Sequence, residues 1–183
     1  MLPNFKHKPD ERLYAFLCTK GANTADFHNR SILQHFIGTY SVLREWNNNI
    51  DVCNAGLCHG IYLNEFFKDH DATNFNRSTL QMEIGNEAEE MAYIYCFIDR
   101  RKFVNDLGKN LDKKYFDSYS GKEISINLTQ KKNITELIWA NAFEQFYVSG
   151  LETDVRSQYL RIFEGSKQYA SQMARQAFRE LFK

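Results

Sequence analysis

The sequence contains few of the residues that interrupt helices, and it has no long apolar run. Only two prolines and nine glycines occur in 183 residues, which argues against a turn-rich β-sandwich and favours helices. No stretch approaches the roughly 18 consecutive apolar residues of a transmembrane helix, so we predict none. The first residues, MLPNFKHKPDERLYAF, lack the apolar segment of a signal peptide. We therefore expect a cytoplasmic protein.

An excess of charge of either sign is also missing. Lys and Arg together number 23, and so do Asp and Glu, which gives a formal net charge of zero. Such a chain lacks the broad field that attracts nucleic acid or an anionic membrane, so we expect neither as a partner. The composition, 43% apolar and 25% charged, is typical of a globular protein. The length fits one domain over residues 1–183.

The four cysteines lack the paired spacing of a zinc knuckle. Cys53 and Cys58 are five residues apart, and Cys58 and Cys96 lie inside apolar stretches that are predicted to be helical. We interpret all four, including Cys18, as free thiols, with a disulfide or zinc role as the less favoured alternative.

Apolar residues recur at helical spacing through most of the chain and predict an all-α fold of about six helices. The predicted helices cover residues 10–20, 29–46, 51–57, 83–102, 133–148 and 153–182. Residues 103–130 are predicted to be irregular, with a small β-hairpin near 117–128 around Gly121. We expect the last helix to pack within the chain; packing across a homodimer is the alternative.

Three polar residues occupy positions where the helical period calls for apolar ones. His35, His59 and Asp99 each lie on the apolar stripe of a different predicted helix. Burying an ionised carboxylate at such a position costs several kcal/mol of folding free energy unless the carboxylate is paired or bound to a metal. Together the three form the ligand set of a two-histidine, one-carboxylate metal site. The alternatives are core histidines bonded to a carbonyl or tyrosine, and an ion pair between Asp99 and Arg30 or Arg44.

The segments that carry these residues resemble the HD-domain superfamily of helical metal-dependent phosphohydrolases. QHFIGTYSVLREW contains His35, AGLCHGIY contains His59, and EEMAYIYCFIDR contains Asp99. They also resemble an uncharacterised branch of HD-like proteins in which the usual His-Asp pair reads His-Gly or His-Ser. The resemblance covers about residues 28–100 and implies an HD-domain-like helical bundle with a metal-dependent active site.

Gly60 stands where the superfamily has the aspartate that bridges two metals. The resemblance therefore implies one divalent transition metal, namely Fe, Mn, Zn or Ni, held by His35, His59 and Asp99, with open positions for water or substrate. His28 precedes His35 by two helical turns. It is either a further ligand or a residue that caps the entry to the helix.

Three more residues are candidates for catalytic roles. Tyr62 and Glu65 follow His59 closely and can line the same pocket. Glu65 is a candidate general base if burial raises its pKa; the alternative is an exposed loop residue. Arg30 can bind a substrate anion, or it is an ordinary ion-pair arginine.

Three functions agree with these features. The first, which we favour, is a metal-dependent hydrolase of a small molecule that is phosphorylated or ester-like. The second is a mononuclear non-haem iron oxygenase, because two histidines and one carboxylate suit Fe(II) and O₂. The third is a non-catalytic HD-like protein that binds a ligand or a partner. The identity of the bound metal would separate the first two.

Overall fold

The structure of the protein, a computed structural model, describes residues 6–27, 29–63, 77–109, 114–149, 160 and 163–182. Helices dominate these residues, and two small antiparallel hairpins accompany them. The predicted all-α class and the predicted small hairpin are both confirmed. None of the helices in these ranges has the length and apolarity that crossing a membrane requires.

A short helix and a two-stranded hairpin come first in the described chain. Helix α1 (Glu11–Thr19) begins where Asp10 accepts a hydrogen bond from the Leu13 amide at 2.8 Å. Strands β1 (Asp26–Phe27) and β2 (Arg30–Ser31) then pair antiparallel. The apolar pattern does not predict this hairpin, because its strands are only two residues long.

Helix α2 (Ile32–Glu45) begins later than predicted, because the hairpin occupies the residues before it. Ser31 and Gln34 form a capping box, in which each side chain accepts a hydrogen bond from the backbone amide of the other. Helix α3 (Ile50–Leu57) and a short 3₁₀ turn (Ile61–Leu63) follow. A methyl group at Gly56 would overlap the Leu43 side chain, so α2 and α3 approach closely at this glycine.

The single helix expected over residues 83–102 is wrong. The chain forms α4 (Arg77–Ile84), α5 (Asn86–Phe97) and α6 (Arg100–Gly108) instead. Gly85 separates the first two with a φ of 88°, a left-handed conformation that favours glycine. Ile98 is extended, and Asp99 caps α6. Residues 103–108, expected to be irregular, are the continuation of α6.

The predicted hairpin forms between β3 (Tyr115–Phe116) and β4 (Glu123–Ile124). Asp117 organises its turn, because its carboxylate accepts hydrogen bonds from the Tyr119 amide at 2.7 Å and the Ser120 hydroxyl at 2.6 Å. Tyr93 on α5 donates to the same carboxylate at 2.6 Å. The hairpin is thereby tied to the helical core.

Helix α7 (Leu128–Ser149) packs against α2, α3 and α5, in agreement with its predicted central position. Residues 163–166 are helical, residues 167–171 are not, and α8 spans Gln172–Leu181. The uninterrupted helix expected over residues 153–182 is therefore wrong. Ser171 caps α8 and donates its hydroxyl proton to Glu136 of α7 at 3.3 Å.

One buried core joins residues of every helix from α1 to α8. Its C-terminal part is aromatic: the Trp139 ring lies 4.9 Å from both Phe163 and Phe178, measured between ring centroids. Cys53, Cys58 and Cys96 are buried free thiols in this core, and Cys18 is a partly exposed one.

Candidate functional site

Two histidines that are 24 residues apart in sequence meet in the core. His35 lies in the first turns of α2, and His59 follows the end of α3. Their Nε2 atoms are 3.1 Å apart, and the two rings are nearly perpendicular at 79°. Both residues are almost completely buried, with exposures of 2% and 4%. The structure thus brings together the two histidines that the sequence singled out.

The proton positions on His59 follow from its partners. Its Nδ1 lies 2.6 Å from the Gly56 carbonyl oxygen. Because a carbonyl oxygen only accepts, Nδ1 must carry the proton, and Nε2 of the neutral ring keeps its lone pair. Burial, reinforced by the nearby His35, lowers the pKa of His59 to about 3. His59 is therefore neutral at physiological pH.

A buried carboxylate fixes the other ring in the same way. Nδ1 of His35 lies 2.6 Å from Oε2 of Glu144 on α7. Arg30 holds that carboxylate with both terminal nitrogens, and its Nη2 donates to Oε2 at 2.8 Å. An ion-paired carboxylate is an acceptor, so His35 Nδ1 also carries a proton.

The two Nε2 atoms therefore face each other, while the Nδ1 proton of each ring is already hydrogen-bonded, to Gly56 in His59 and to Glu144 in His35. If both rings are neutral, two lone pairs meet at 3.1 Å, which is repulsive. The contact needs a cation, either a second proton on His35 or a metal ion. Histidines that bind metals typically donate their other N–H to a carboxylate or a backbone carbonyl. Two nitrogens that are each about 2.1 Å from one ion can lie this far apart, so the pair fits a metal.

A cavity of about 240 Å³ opens beside the two histidines. Arg100 contributes a cation to its wall, Asn141 and Gln145 contribute amides, and Tyr95 contributes an aromatic ring. The Asn141 side chain accepts a hydrogen bond from Gln145 at 3.1 Å. The remaining wall is largely apolar and consists of Phe27, Ile32, Phe36, Gly60 and Leu63.

Asp99 does not lie where the apolar stripe predicts it. It is exposed, and its carboxylate accepts a hydrogen bond from the Lys102 amide at 3.0 Å as the N-cap of α6. The expected stripe assumes that α5 continues past residue 99, whereas α5 ends at Phe97. Asp99 is not among the residues that line the cavity. The expectation of a core-facing carboxylate at this position is wrong.

Two predicted catalytic residues also have other surroundings. Arg30 is buried in the ion pair with Glu144, which is the ion-pair alternative rather than a substrate contact. Tyr62 does not line the cavity; its hydroxyl donates to Glu89 on α5. Burial and this bond raise the pKa of Tyr62 well above its usual range. The candidates His28 and Glu65 lie outside the described residues.

Glu144 is a residue of the candidate site that the sequence patterns did not single out. It lies in a predicted central helix between Phe143 and Phe146, and its exposure is 0%. The available signal in the sequence was a glutamate among aromatic residues, on a helix that is apolar nearly all round. Its partner Arg30 is 114 residues away in sequence.

The two histidines stand without a third conventional ligand in the part of the chain described. Across residues 6–27, 29–63, 77–109 and most of 114–182, no three His, Cys, Asp or Glu side chains converge so as to hold a metal ion. A metal at this pair would depend on water or substrate for its remaining positions.

The site lies largely within a region shared with other proteins. Residues 16–100 match the profile of a family described as a domain of unknown function, DUF6817. No curated protein and no solved structure matches the chain significantly. The matched region contains His35, His59 and Arg30, while Glu144 lies beyond it. Over residues 16–100 the chain is thus similar to a family whose function is undetermined.

Proposed function

We propose that the cavity beside His35 and His59 is the active site of a metal-dependent hydrolase that acts on a small anionic molecule. The observation that carries the proposal is the 3.1 Å approach of the two Nε2 atoms while both Nδ1 protons are committed elsewhere. The resemblance of the His35 and His59 segments to HD-domain motifs supports the same function.

The protein's own residues prepare the pair for a cation. Gly56 and Glu144 fix the tautomers, so that both Nε2 lone pairs point to one place. Arg30 balances the charge of Glu144 inside the core. A divalent metal at this place would lower the pKa of a bound water and so supply a hydroxide nucleophile.

The cavity wall selects the substrate in this proposal. Arg100 lies over the Tyr95 ring at 4.7 Å and donates to the Tyr95 carbonyl at 2.8 Å. It forms no ion pair with a carboxylate among the described residues, so its charge is available to a substrate anion such as a phosphate ester. Asn141 and Gln145 can orient neutral polar groups of the same molecule.

Hydrolysis is preferred to oxygenation because of the ligand set. A mononuclear non-haem iron oxygenase uses a carboxylate beside its two histidines. Asp99 caps a helix instead, and Glu144 is occupied by Arg30 and by the Nδ1 of His35. The first coordination shell of an iron oxygenase is therefore incomplete among the described residues.

A non-catalytic, ligand-binding protein is the second candidate. The observation that favours it is that no third metal ligand lies near the histidines within the described ranges. In that case a proton shared between the two Nε2 atoms would take the place of the metal.

Elemental analysis of untagged protein distinguishes the two candidates. After incubation with Fe, Mn, Zn or Ni and removal of free ions, we expect about one equivalent of metal in the parent protein and none in His35→Gln or His59→Gln. His7→Gln is the matched control, because His7 lies outside the cavity. A circular dichroism spectrum would verify that each variant is folded. A parent protein that retains no metal would contradict the proposal and leave the non-catalytic candidate.

A further inference from the structure

A second cavity, of about 300 Å³, lies between α7, the helical residues 163–166 and α8. It shares no lining residue with the histidine cavity. Trp139 lines the second cavity and Asn141 the first, and residues two apart point to nearly opposite faces of a helix. The two cavities therefore lie on different sides of α7.

The floor of the second cavity is aromatic and buried. Trp139, Phe163 and Phe178 form it, and their exposures are 2%, 4% and 4%. The indole N–H of Trp139 donates to the Ser166 hydroxyl at 3.0 Å, so it presents no unbonded donor to the cavity. Such a floor favours contact with a flat apolar group.

The rim carries an excess of positive charge. Arg175 and Arg179 lie one turn apart on α8, on the face that also carries Phe178, and both line the cavity. Glu164 is the acidic residue of the lining, and Lys167 already pairs with it at 2.6 Å. Neither arginine forms an ion pair with another residue in the described ranges; Arg175 makes one long bond, 3.4 Å, to the Lys167 carbonyl.

The helix itself explains only one of these arginines. Arg179 lies in the last turn of α8, where a cation is stabilised by the negative end of the helix dipole. Arg175 lies one turn into the helix, where the positive end of the dipole is close and a cation is disfavoured. An anion between the two guanidinium groups would stabilise both.

We propose that this cavity binds a small aromatic carboxylate. The ring rests on the floor of Trp139, Phe163 and Phe178, and the carboxylate lies between Arg175 and Arg179. Guanidinium groups hold carboxylates through paired, charge-assisted hydrogen bonds. The volume is at the lower limit for small-molecule sites, so it accepts an acid of one or two rings rather than a nucleotide or a peptide.

Calorimetry on the full chain tests this inference with two matched probes. 1-Naphthylacetate carries the carboxylate, and 1-naphthylacetamide has nearly the same shape without the charge. We expect the acid to bind about tenfold tighter than the amide, as one charge-assisted contact would give. The double variant Arg175→Gln, Arg179→Gln should lose that advantage and bind the amide as before.

Two control variants establish that the acid binds in this cavity and not elsewhere on the protein. Arg101→Gln removes an exposed arginine of α6 that lines neither cavity and should leave the affinity for the acid unchanged. His35→Gln should also leave it unchanged, because His35 belongs to the other cavity. Equal affinity for the acid and the amide, undiminished binding in the double variant, or no binding of the acid at millimolar concentration would each overturn the inference.

Discussion

Glu144 and Glu89 are both fully buried, and each carboxylate accepts hydrogen bonds from two nitrogens of one arginine. Arg30 holds Glu144, and Arg77 holds Glu89 at 2.6 and 2.7 Å. The next partner differs: an imidazole that faces a cavity in the first case, and the hydroxyl of Tyr62 in the second. Similar ion pairs thus have different neighbours, a histidine beside a cavity in one case and a buried tyrosine in the other.

The surroundings of the two arginines differ as well. The Arg30 side chain is 2% exposed, whereas the Arg77 side chain is 38% exposed and lies over the Tyr93 ring at 3.9 Å. Gln81 also donates to Glu89, at 3.0 Å. Without its arginine, Glu89 would therefore keep two neighbouring donors and gain access to water, whereas Glu144 would keep His35 as its donor in a site closed to water.

The largest expected effect comes from removing each arginine. Arg30→Met leaves a buried carboxylate without its cation, and we expect the free energy of unfolding to fall by about 3–5 kcal/mol. Arg77→Met should cost less, about 1–3 kcal/mol, because Tyr62 and Gln81 still donate to Glu89. Denaturation in guanidinium chloride measures both losses. An equal loss in the two variants would contradict the distinction.

The next effect concerns metal binding. At a Zn²⁺ concentration about one hundred times the dissociation constant, the bound ion should raise the free energy of unfolding by about 2.7 kcal/mol. Glu89→Gln should keep this gain. Glu144→Gln weakens the acceptor of His35 Nδ1 and should reduce metal affinity about 10–100-fold. Thermal melts with and without Zn²⁺ give the answer, and a full gain in Glu144→Gln would show that Glu144 has no role in binding.

The two networks should also respond to opposite ends of the pH scale. The folded, metal-free protein keeps His59 neutral, with its pKa at about 3, whereas the unfolded chain has an ordinary histidine pKa near 6.5. The unfolded state then binds more protons between these values. Stability should therefore fall as the pH drops from about 6.5 towards 3, by up to about 1.4 kcal/mol per pH unit.

At alkaline pH the sign reverses for Tyr62. Its raised pKa keeps the folded phenol protonated when the unfolded one ionises, so stability should fall as the pH rises above about 10. Unfolding midpoints of the parent protein, His59→Gln and Tyr62→Phe, measured across pH in EDTA, test which residue causes the acid limb and which the alkaline limb of the stability curve. The acid limb should flatten in the first variant and the alkaline limb in the second; an acid limb unchanged in His59→Gln would assign it to other groups.

The smallest effect concerns Asp99, a carboxylate outside both networks. Asp99→Ala removes the N-cap of α6 and should cost about 1 kcal/mol. Metal content should not change, because this side chain is exposed and does not line the cavity. Elemental analysis and thermal unfolding of one preparation check both statements. Loss of metal in Asp99→Ala would restore this residue as a ligand.

Local patterns predicted the helices of the core but not where the longer ones end. The period of apolar residues runs unbroken through residues 83–102, and only backbone features divide it. Gly85 with its positive φ and Asp99 as a cap end the helices there. Because an aspartate can also lie within a helix, the apolar period placed Asp99 inside one, and that prediction was wrong.

Half of the candidate site was visible in the sequence, because His35 and His59 break apolar stripes. The other half, Arg30 and Glu144, depends on a contact across 114 residues. Arg30 was a candidate from the sequence, but nothing in the sequence identifies Glu144 as its partner. Only their burial at 6% and 0% shows that the two charges form a pair on which the orientation of His35 depends.

The Glu89 network has a consequence for the length of the chain between α3 and α4. Tyr62 precedes residues 64–76 and Arg77 follows them, and both side chains bind the same carboxylate. Glu89 therefore joins the two ends of this segment, whichever residues lie between them. The number of residues between these ends can therefore change while Tyr62, three residues after His59, keeps its hydrogen bond to α5.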